Sequence, residues 1–537
     1  MMEPAIRTRH RAIRVLFNDP ERGSGWRVRD SADVLDVRWW KRSAPDPGNM
    51  THLPSLDEFR QLARDHQLVP VYRRLISDTL TPVSAFRRLD RGSSACLFES
   101  VVGGEKVGRY SFLAVDPFLE LRAQRQRVQI VAGDEVQDVE SLDPLEELRL
   151  QLRKFEVAHL EELPPFVGGA VGYAAYDVVR YAEHLPDAPE DDRGLPDLCF
   201  GLYDQIVVFD NVSKTMFVIA LARLDQNEDP DAAYADARNR VDQLVEQLLD
   251  PVDDLGSADI SAAGEPSIAF ASNFTKAEFE ESVRKCVDYI RAGDIFQVVI
   301  SQRLALDIVS QPFEIYRTLR VVNPSPFMFF LRTSEATLVG SSPEIMCRVV
   351  DGKVTLRPLA GTRRRGVSEA HDRQLAEELL ADPKERAEHV MLVDLGRNDV
   401  GRVTRYGSVE LSDVMVIERY SHVMHITSNV VGELADDRDA FDALRACLPA
   451  GTVSGAPKVR AMQIISELEP NARGAYCGSL GYIGFDGTMD LNILIRTITA
   501  GRGWWQMPVG GGIVAQSDPL SEYEETWHKA EGLLRAL

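Results

Sequence analysis

Four glutamates carry spacing that could bind a cation. Glu385 and Glu388 follow Ala381-Asp382-Pro383. Asp382 suits a helix N-cap, Pro383 the first helical position, and Glu385 the third, where it would complete a capping box. A helix beginning there sets Glu385 and Glu388 at i and i+3 on one face. A second helix, read as beginning at Ser521, repeats the spacing with Glu522 and Glu525. Two helices that each present a carboxylate pair could hold a hard cation such as Mg²⁺, which prefers oxygen ligands and keeps waters for an anionic substrate. The same spacing also suits solvated acidic faces, and by itself favours that plainer use.

Other residues add weaker signals. Arg496 stands inside the apolar run Leu491-Asn-Ile-Leu-Ile-Arg-Thr-Ile-Thr. An arginine in an apolar strand is costly to bury unless it meets an anion, and a carboxylate held bidentately would supply one. An exposed face on an edge strand is the equal alternative. Gly510-Gly511-Gly512 would let backbone approach a ligand and offer N–H groups to an anion, or simply turn between strands. It contains no nucleotide-binding P-loop pattern. Gly451-Thr-Val-Ser-Gly-Ala-Pro-Lys458 is a similar small-residue turn before a helix starting near Pro457. His425, beside apolar residues, reads more readily as a hydrogen-bonded core histidine than as a catalyst.

These groups need a large scaffold, and the chain has one. Its 537 residues are 44% hydrophobic and 27% charged, the balance of an ordinary globular protein of several packed layers. A net charge of −22 argues against nucleic acid and anionic membranes, and means that an anionic substrate needs a cation or a local basic cluster. Six scattered cysteines without a C-x-x-C pair predict reduced, buried thiols. With no apolar run long enough to span a bilayer and no secretory leader, the expected location is the cytoplasm.

Residues 1–49 are Arg-rich and broken by Pro and Gly, which predicts a disordered extension. Order begins at Ser55-Leu-Asp-Glu-Phe, a capping-box helix start. In the part spanning 50–250, short strand-like runs such as Ala95–Glu99, Ile206–Phe209 and Met216–Leu221 precede a charged helix over about 230–249. Residues 251–268 read as a linker. In 269–537, helices such as Lys276–Arg291 and Arg373–Leu380 alternate with strands such as Phe296–Arg303. The mixture predicts an α+β fold rather than a doubly wound sheet.

Taken in order, several blocks resemble the chorismate-utilising enzymes: Ile295-Phe-Gln-Val-Val, Ser342-Pro-Glu344, Pro358-Leu-Ala-Gly-Thr-Arg, Glu385 through Asp399, Glu418 through His425, Gly451 through Lys458, Ile495-Arg-Thr, Gly510-Gly-Gly-Ile and Glu522-Tyr-Glu-Glu525. From about residue 53 the chain is similar to anthranilate synthase component I. The resemblance implies large stacked mixed or antiparallel sheets flanked by helices, in α/β/β/α layers, with the active site between the sheets. It implies Mg²⁺ on Glu388 and Glu525, assisted by Glu385 and Glu522, bridging to the ring carboxylate of chorismate. Arg496, Tyr476 and the run Gly510-Gly511-Gly512, through the amides of Gly511 and Gly512, would hold the enolpyruvyl carboxylate; Gly361 and Thr362 would line the ring, and Thr452 would orient it.

By the same resemblance, Glu344 protonates the departing C4 hydroxyl and His425 assists loss of pyruvate. Gln297 stands where water-activating relatives carry a lysine, and Ala360 where aminodeoxychorismate synthases commonly carry another. Both point to ammonia as nucleophile and anthranilate as product. Glu99 and Ser100, with Pro326, Phe327 and Met328, resemble the two segments that bind feedback tryptophan. Phe327 replaces a common tyrosine. No G-x-C-x-G elbow occurs, so a separate glutamine amidotransferase subunit is expected to supply ammonia in a heterotetramer. An aminodeoxychorismate synthase without its lysine and a non-catalytic tryptophan-sensing partner protein are the alternatives.

Overall fold

The computed structural model describes residues 52–100, 108–225, 229–250, 268–420 and 423–537. The extension at 1–49 and all but the last residue of the 251–268 stretch lie outside the described residues.

Two twelve-stranded sheets form the scaffold, and every named ladder in them is antiparallel. The first runs Leu68–Ile76, Thr215–Arg223, Gln205–Asp210, Tyr110–Val115, Ala95–Glu99, Phe327–Arg332 and Thr337–Ser342. It continues through Thr497–Gly501, Trp504–Ile513, Gln297–Leu306 and Phe270–Ser272, with Gly455–Ala456 pairing onto Gln297–Leu306. The second runs Leu359–Arg364, Val423–Glu433, Lys353–Leu356, Ile345–Val350, Met489–Ile493 and Ser479–Gly484. It ends with Gly169–Ala174, Leu198–Tyr203, Leu119–Gln124, Arg127–Ala132 and Glu135–Glu140, while Glu410–Arg419 pairs with Val423–Glu433. Both sheets draw strands from either side of 251–267, and His52–Leu537 is one compact unit.

The strand Thr215–Arg223 shows why the layers stack. Its period of two sends Phe217, Ile219 and Leu221 into the core between the sheets. Met216, Val218, Ala220 and Ala222 point the other way, against helices. A strand covered on both faces must be apolar almost throughout. The helix Pro230–Leu249 answers with Ala233, Tyr234, Ala237, Val241, Leu244, Val245 and Leu248 buried at helical spacing. Helices Lys276–Ala292 and Lys458–Leu468 cover the far end around Gln297–Leu306, and Glu369–Ala381 packs on Val423–Glu433. The result is helices, sheet, sheet, helices.

Local chemistry accounts for the element ends. Ser55 and Glu58 form the expected capping box, and Thr275 with Glu278 forms another. The helix expected from Ser521 instead begins at Pro519, because Asp518 caps it and accepts from the Ser521 amide. Asp382 caps Pro383–Gly401 as expected, but through the amides of Lys384 and Glu385; the Glu385 carboxylate turns to Arg363 rather than completing a box. All six cysteines are buried and unpaired by disulfides. Among the described residues, no helix is long and apolar enough to cross a membrane.

Candidate active site

Two of the chain's crossings between the sheets are neighbours, and each carries a charged group. Thr337–Ser342 belongs to the first sheet and Ile345–Val350 to the second, so Pro343-Glu344 is one crossing. Met489–Ile493 belongs to the second and Thr497–Gly501 to the first, so Leu494-Ile495-Arg496 is the other. The crossings are tied by backbone bonds: Ile493 donates to the Glu344 carbonyl at 3.1 Å, and Ser341 to the Arg496 carbonyl at 3.1 Å. Arg496 therefore does not lie within a strand, as its apolar neighbours suggested. It sits in the connection with φ of 50°, a left-handed conformation uncommon for an arginine. The crossing brings it within electrostatic reach of Glu344 and Tyr420.

Glu344 is buried at 5% exposure, and burial pushes its carboxyl up to about 8. The Thr452 hydroxyl, the Leu359 amide and the Arg496 charge pull the other way without compensating. Thr452, from the short 3₁₀ turn Gly451–Val453, makes no hydrogen bond of standard geometry through its buried hydroxyl. Glu344 and Thr452 share a cavity of about 30 Å³ with Pro358, Asp399 and Cys447, room for one water-sized molecule. The Arg496 side chain is half-buried and forms no ion pair or hydrogen bond with any described residue. Burial lowers its pKa, against the pull of Tyr420 and Glu344. A desolvated guanidinium with no carboxylate of its own is poised for an anion.

His425 lies on Val423–Glu433 opposite Thr362, at a bulge between Ala360 and Thr362. Its Nδ1 is 3.1 Å from the Gly361 carbonyl and 3.0 Å from the Thr362 hydroxyl. A carbonyl only accepts, so Nδ1 carries the proton and Nε2 presents a bare lone pair. That Nε2 is buried with no partner among the described residues. Burial, reinforced by Arg496, lowers the imidazole to about 4, so it is neutral at physiological pH. Gly361 has φ of 75°, and a Cβ there would stand 3.1 Å from Glu385 Oε2. This position needs glycine twice over, for conformation and for space.

Gly510, Gly511 and Gly512 do not form a turn. They lie within the strand Trp504–Ile513, opposite Ser301, Ile300 and Val299. Side chains crowd the room their missing Cβ atoms leave: a Cβ on Gly510 would meet the Tyr476 hydroxyl at 3.0 Å, one on Gly511 would meet Glu522 at 3.5 Å, and one on Gly512 would meet Gln297 at 2.6 Å. Gln297, 3% exposed, donates to Glu388 at 3.2 Å, and its own carbonyl oxygen has no partner among the described residues. Tyr476 lies under the Arg473 guanidinium, whose ion pair with Glu469 is fully buried.

The two carboxylate helices meet at the same place. Glu385 borders Gly361, and Glu522 borders Gly511. Burial, with Glu385 adding, raises Glu388; burial, with Glu525 adding, raises Glu522. Burial would also raise Glu525, but Lys529 at 2.8 Å, with Lys384 and His528 adding, holds it low. Lys384 and Lys529 are electrostatic neighbours of both helices' carboxylates. Among the described residues, no three acidic, His or Cys side chains converge tightly enough to cage a metal alone. An all-oxygen donor set in which burial and a neighbouring carboxylate raise Glu388 and Glu522 does fit a hard cation that takes remaining ligands from water and substrate.

The two segments resembling an effector site are also joined. Ala95–Glu99 pairs with Phe327–Arg332, setting Met328 opposite Glu99. Glu99 is buried and receives the Tyr316 hydroxyl at 2.7 Å and Arg320 Nη2 at 2.9 Å. Pro326 and Met328 are buried and Phe327 is half-buried. Ser100 is the last described residue of its segment. Tyr316 and Arg320 were not anticipated, though their i, i+4 spacing on one helix was a usable signal. Ser341, Ser342 and the buried Asp399–Lys458 pair at 2.7 Å likewise carried no distinguishing signal in one sequence.

Comparison with known proteins identifies the family. Residues 95–535 match the family model of chorismate binding enzymes. The chain is 45% identical to anthranilate synthase component 1 of Acetivibrio thermocellus over 488 residues, covering 90% of this chain and 98% of the relative. It is 44% identical to the chloroplastic anthranilate synthase alpha subunit 1 of Arabidopsis thaliana, covering 98% and 94%. Among solved structures, anthranilate synthase component I from Streptococcus pneumoniae superimposes with a TM-score of 0.71 at 37% identity, over 86% of this chain and 98% of that one. The menaquinone-specific isochorismate synthase MenF of Escherichia coli, at 18% identity and a TM-score of 0.63, shares the fold. The chain thus belongs to the chorismate-binding enzymes and, within them, to the anthranilate synthase component 1 family.

Proposed function

We propose that the chain converts chorismate and ammonia to anthranilate and pyruvate, the reaction that its relatives' name implies. The observation that carries this reading is the pairing of a buried, protonated Glu344 with an unpartnered Arg496 on adjacent sheet crossings. One can deliver a proton and the other can hold a carboxylate.

Ammonia adds at C2 of the ring while the C4 hydroxyl departs. Hydroxide is a poor leaving group, and Glu344 supplies the proton that lets it leave as water. Arg496, Tyr476 and the backbone of Gly511 and Gly512 hold the enolpyruvyl carboxylate. Gly361 and Thr362 border the ring, and Thr452 orients it. In the amino-deoxyisochorismate intermediate, the neutral His425 offers its bare Nε2 to the proton lost as pyruvate leaves and the ring becomes aromatic. Gln297 cannot activate water as a lysine would, which leaves ammonia as the nucleophile.

Glu388 and Glu525, assisted by Glu385 and Glu522, would hold Mg²⁺. When bound, the ion would neutralise the ring carboxylate and remove the like-charge repulsion among these side chains. Ammonia would come from a glutamine amidotransferase subunit in a heterotetramer. Tryptophan would bind against Glu99, Ser100, Pro326, Phe327 and Met328 as feedback inhibitor.

The test is a fluorescence assay for anthranilate with chorismate, Mg²⁺ and ammonium, with and without tryptophan. Anthranilate with equal pyruvate, suppressed by tryptophan, supports the reading; turnover without pyruvate moves the chain to aminodeoxychorismate chemistry. Glu388→Ala should abolish Mg²⁺-dependent turnover while keeping the fold, and normal activity in that variant would overturn the metal assignment.

A further inference from the structure

Between the effector-like segment and the two sheet crossings lie three buried serines. Ser325, Ser341 and Ser342 are 2%, 0% and 0% exposed, so their hydroxyls serve protein contacts alone. Ser341 stands opposite Met328 on the ladder, and Met328 stands opposite Glu99 on the next. A single residue, Met328, therefore separates the effector face from the strand that leads into Glu344.

The hydroxyls bind this arrangement crosswise. Ser325 donates to the Ser342 carbonyl at 2.9 Å, and Ser341 donates to the Asn323 carbonyl at 2.5 Å. Both bonds fasten the turn before Phe327 to the end of the catalytic strand. Beyond them, the Ser342 hydroxyl donates to the Ile493 carbonyl at 2.7 Å and accepts from the Glu344 amide at 3.4 Å. The Ser341 amide holds the Arg496 carbonyl at 3.1 Å. Two adjacent residues thus touch the acid's backbone, the arginine's backbone and the effector turn.

We infer that Ser325, Ser341 and Ser342 are positioning residues that set Glu344 and Arg496 relative to each other, and that the Ser325 and Ser341 hydroxyls pass the state of the effector segment to both. This rests on the reading of that segment as the tryptophan site. A ligand that orders or shifts Asn323–Met328 moves Ser341 and Ser342 with it, because buried bonds in a packed interior have two arrangements rather than a continuum. Displacing Ser341 shifts the anion-holding arginine, and displacing Ser342 shifts the acid. Inhibition then acts on substrate binding and on proton delivery together.

The experiment uses the full chain with Mg²⁺ and ammonium, comparing wild type with Ser325→Ala, Ser341→Ala and the double variant. Tryptophan binding is measured directly by calorimetry. Coupling is measured as the ratio of the chorismate KM at saturating tryptophan to that without it. In the double variant the tryptophan Kd should stay within about threefold, while the ratio falls by about thirtyfold or to one, the factor that two ordinary buried hydrogen bonds carry. Each single variant should lose part of it, which serves if the double variant does not fold. An unchanged ratio overturns the inference, and so does a ratio that falls only in step with tryptophan affinity, since the serines then merely shape the pocket. Wild-type protein that neither binds tryptophan nor is inhibited by it would instead refute the effector-site reading itself.

Discussion

Replacing Glu344 by glutamine removes one proton and little else. The amide has the same shape, so the packing around it is kept, but it cannot protonate a leaving hydroxyl. General acid catalysis contributes about 10²- to 10⁴-fold, and kcat of Glu344→Gln should fall by that factor. The pH profile separates this from a packing defect. With its carboxyl pushed up to about 8, Glu344 is about nine-tenths protonated at pH 7 and about one-tenth at pH 9. Wild-type kcat should therefore drop about tenfold across that interval when free ammonia is held constant, and the variant should stay flat. Stability follows the same proton. The folded carboxyl keeps it up to about 8 while the unfolded chain releases it near 4.5, so wild-type stability declines as pH rises between these values, at about 1.4 kcal/mol per pH unit from this group. Glu344→Gln removes that decline. Stopped-time anthranilate fluorescence gives the rates, and denaturant melts at pH 5, 6, 7 and 8 give the stabilities. A variant with wild-type kcat, or one that keeps the alkaline limb, would refute the assignment of the acid.

Arg496→Met should weaken chorismate binding by about 10²-fold or more, the loss of a charge-assisted bidentate contact, without lowering thermal stability, because no described carboxylate loses a partner; a destabilised variant that still binds would contradict this. Gly361→Ala should cost about 1–2 kcal/mol for its left-handed φ and also displace the Glu385 carboxylate 3.1 Å from the new Cβ. Melting and Mg²⁺ titration should both show it, and unaltered Mg²⁺ dependence would separate Glu385 from the metal site. Arg320→Ala should destabilise the protein by about 3 kcal/mol, since it leaves the buried Glu99 carboxylate with only the Tyr316 hydroxyl. A melt within experimental error of wild type would show that Glu99 is relieved by solvent.

Much of the scaffold is local and was legible. The strand Ala95–Glu99 and the helices Lys276–Ala292 and Pro230–Leu249 follow from apolar period and capping residues, which act within one turn or one pleat. Ser55 with Glu58, and Asp382 with Pro383, marked helix starts for the same reason. The carboxylate pairs were visible as i, i+3 spacing, and the family resemblance supplied their partners in chemistry. The site itself is not local. Glu344 and Glu388 are far apart in sequence, and Arg496 looked like a strand residue because a strand and a strand crossing share the same apolar neighbours. Only the two-sheet packing distinguishes them, by sending the chain from one sheet to the other at Pro343-Glu344 and at Leu494–Arg496. The protonation states belong to the same level. Residue types name Glu344 an acid and His425 a base, but burial decides that one keeps its proton to about 8 and the other stays neutral down to about 4. The composition and motifs determined which groups are present and which helices and strands carry them; tertiary packing decided which meet and how dry they are, because desolvation and proximity are properties of the assembled core.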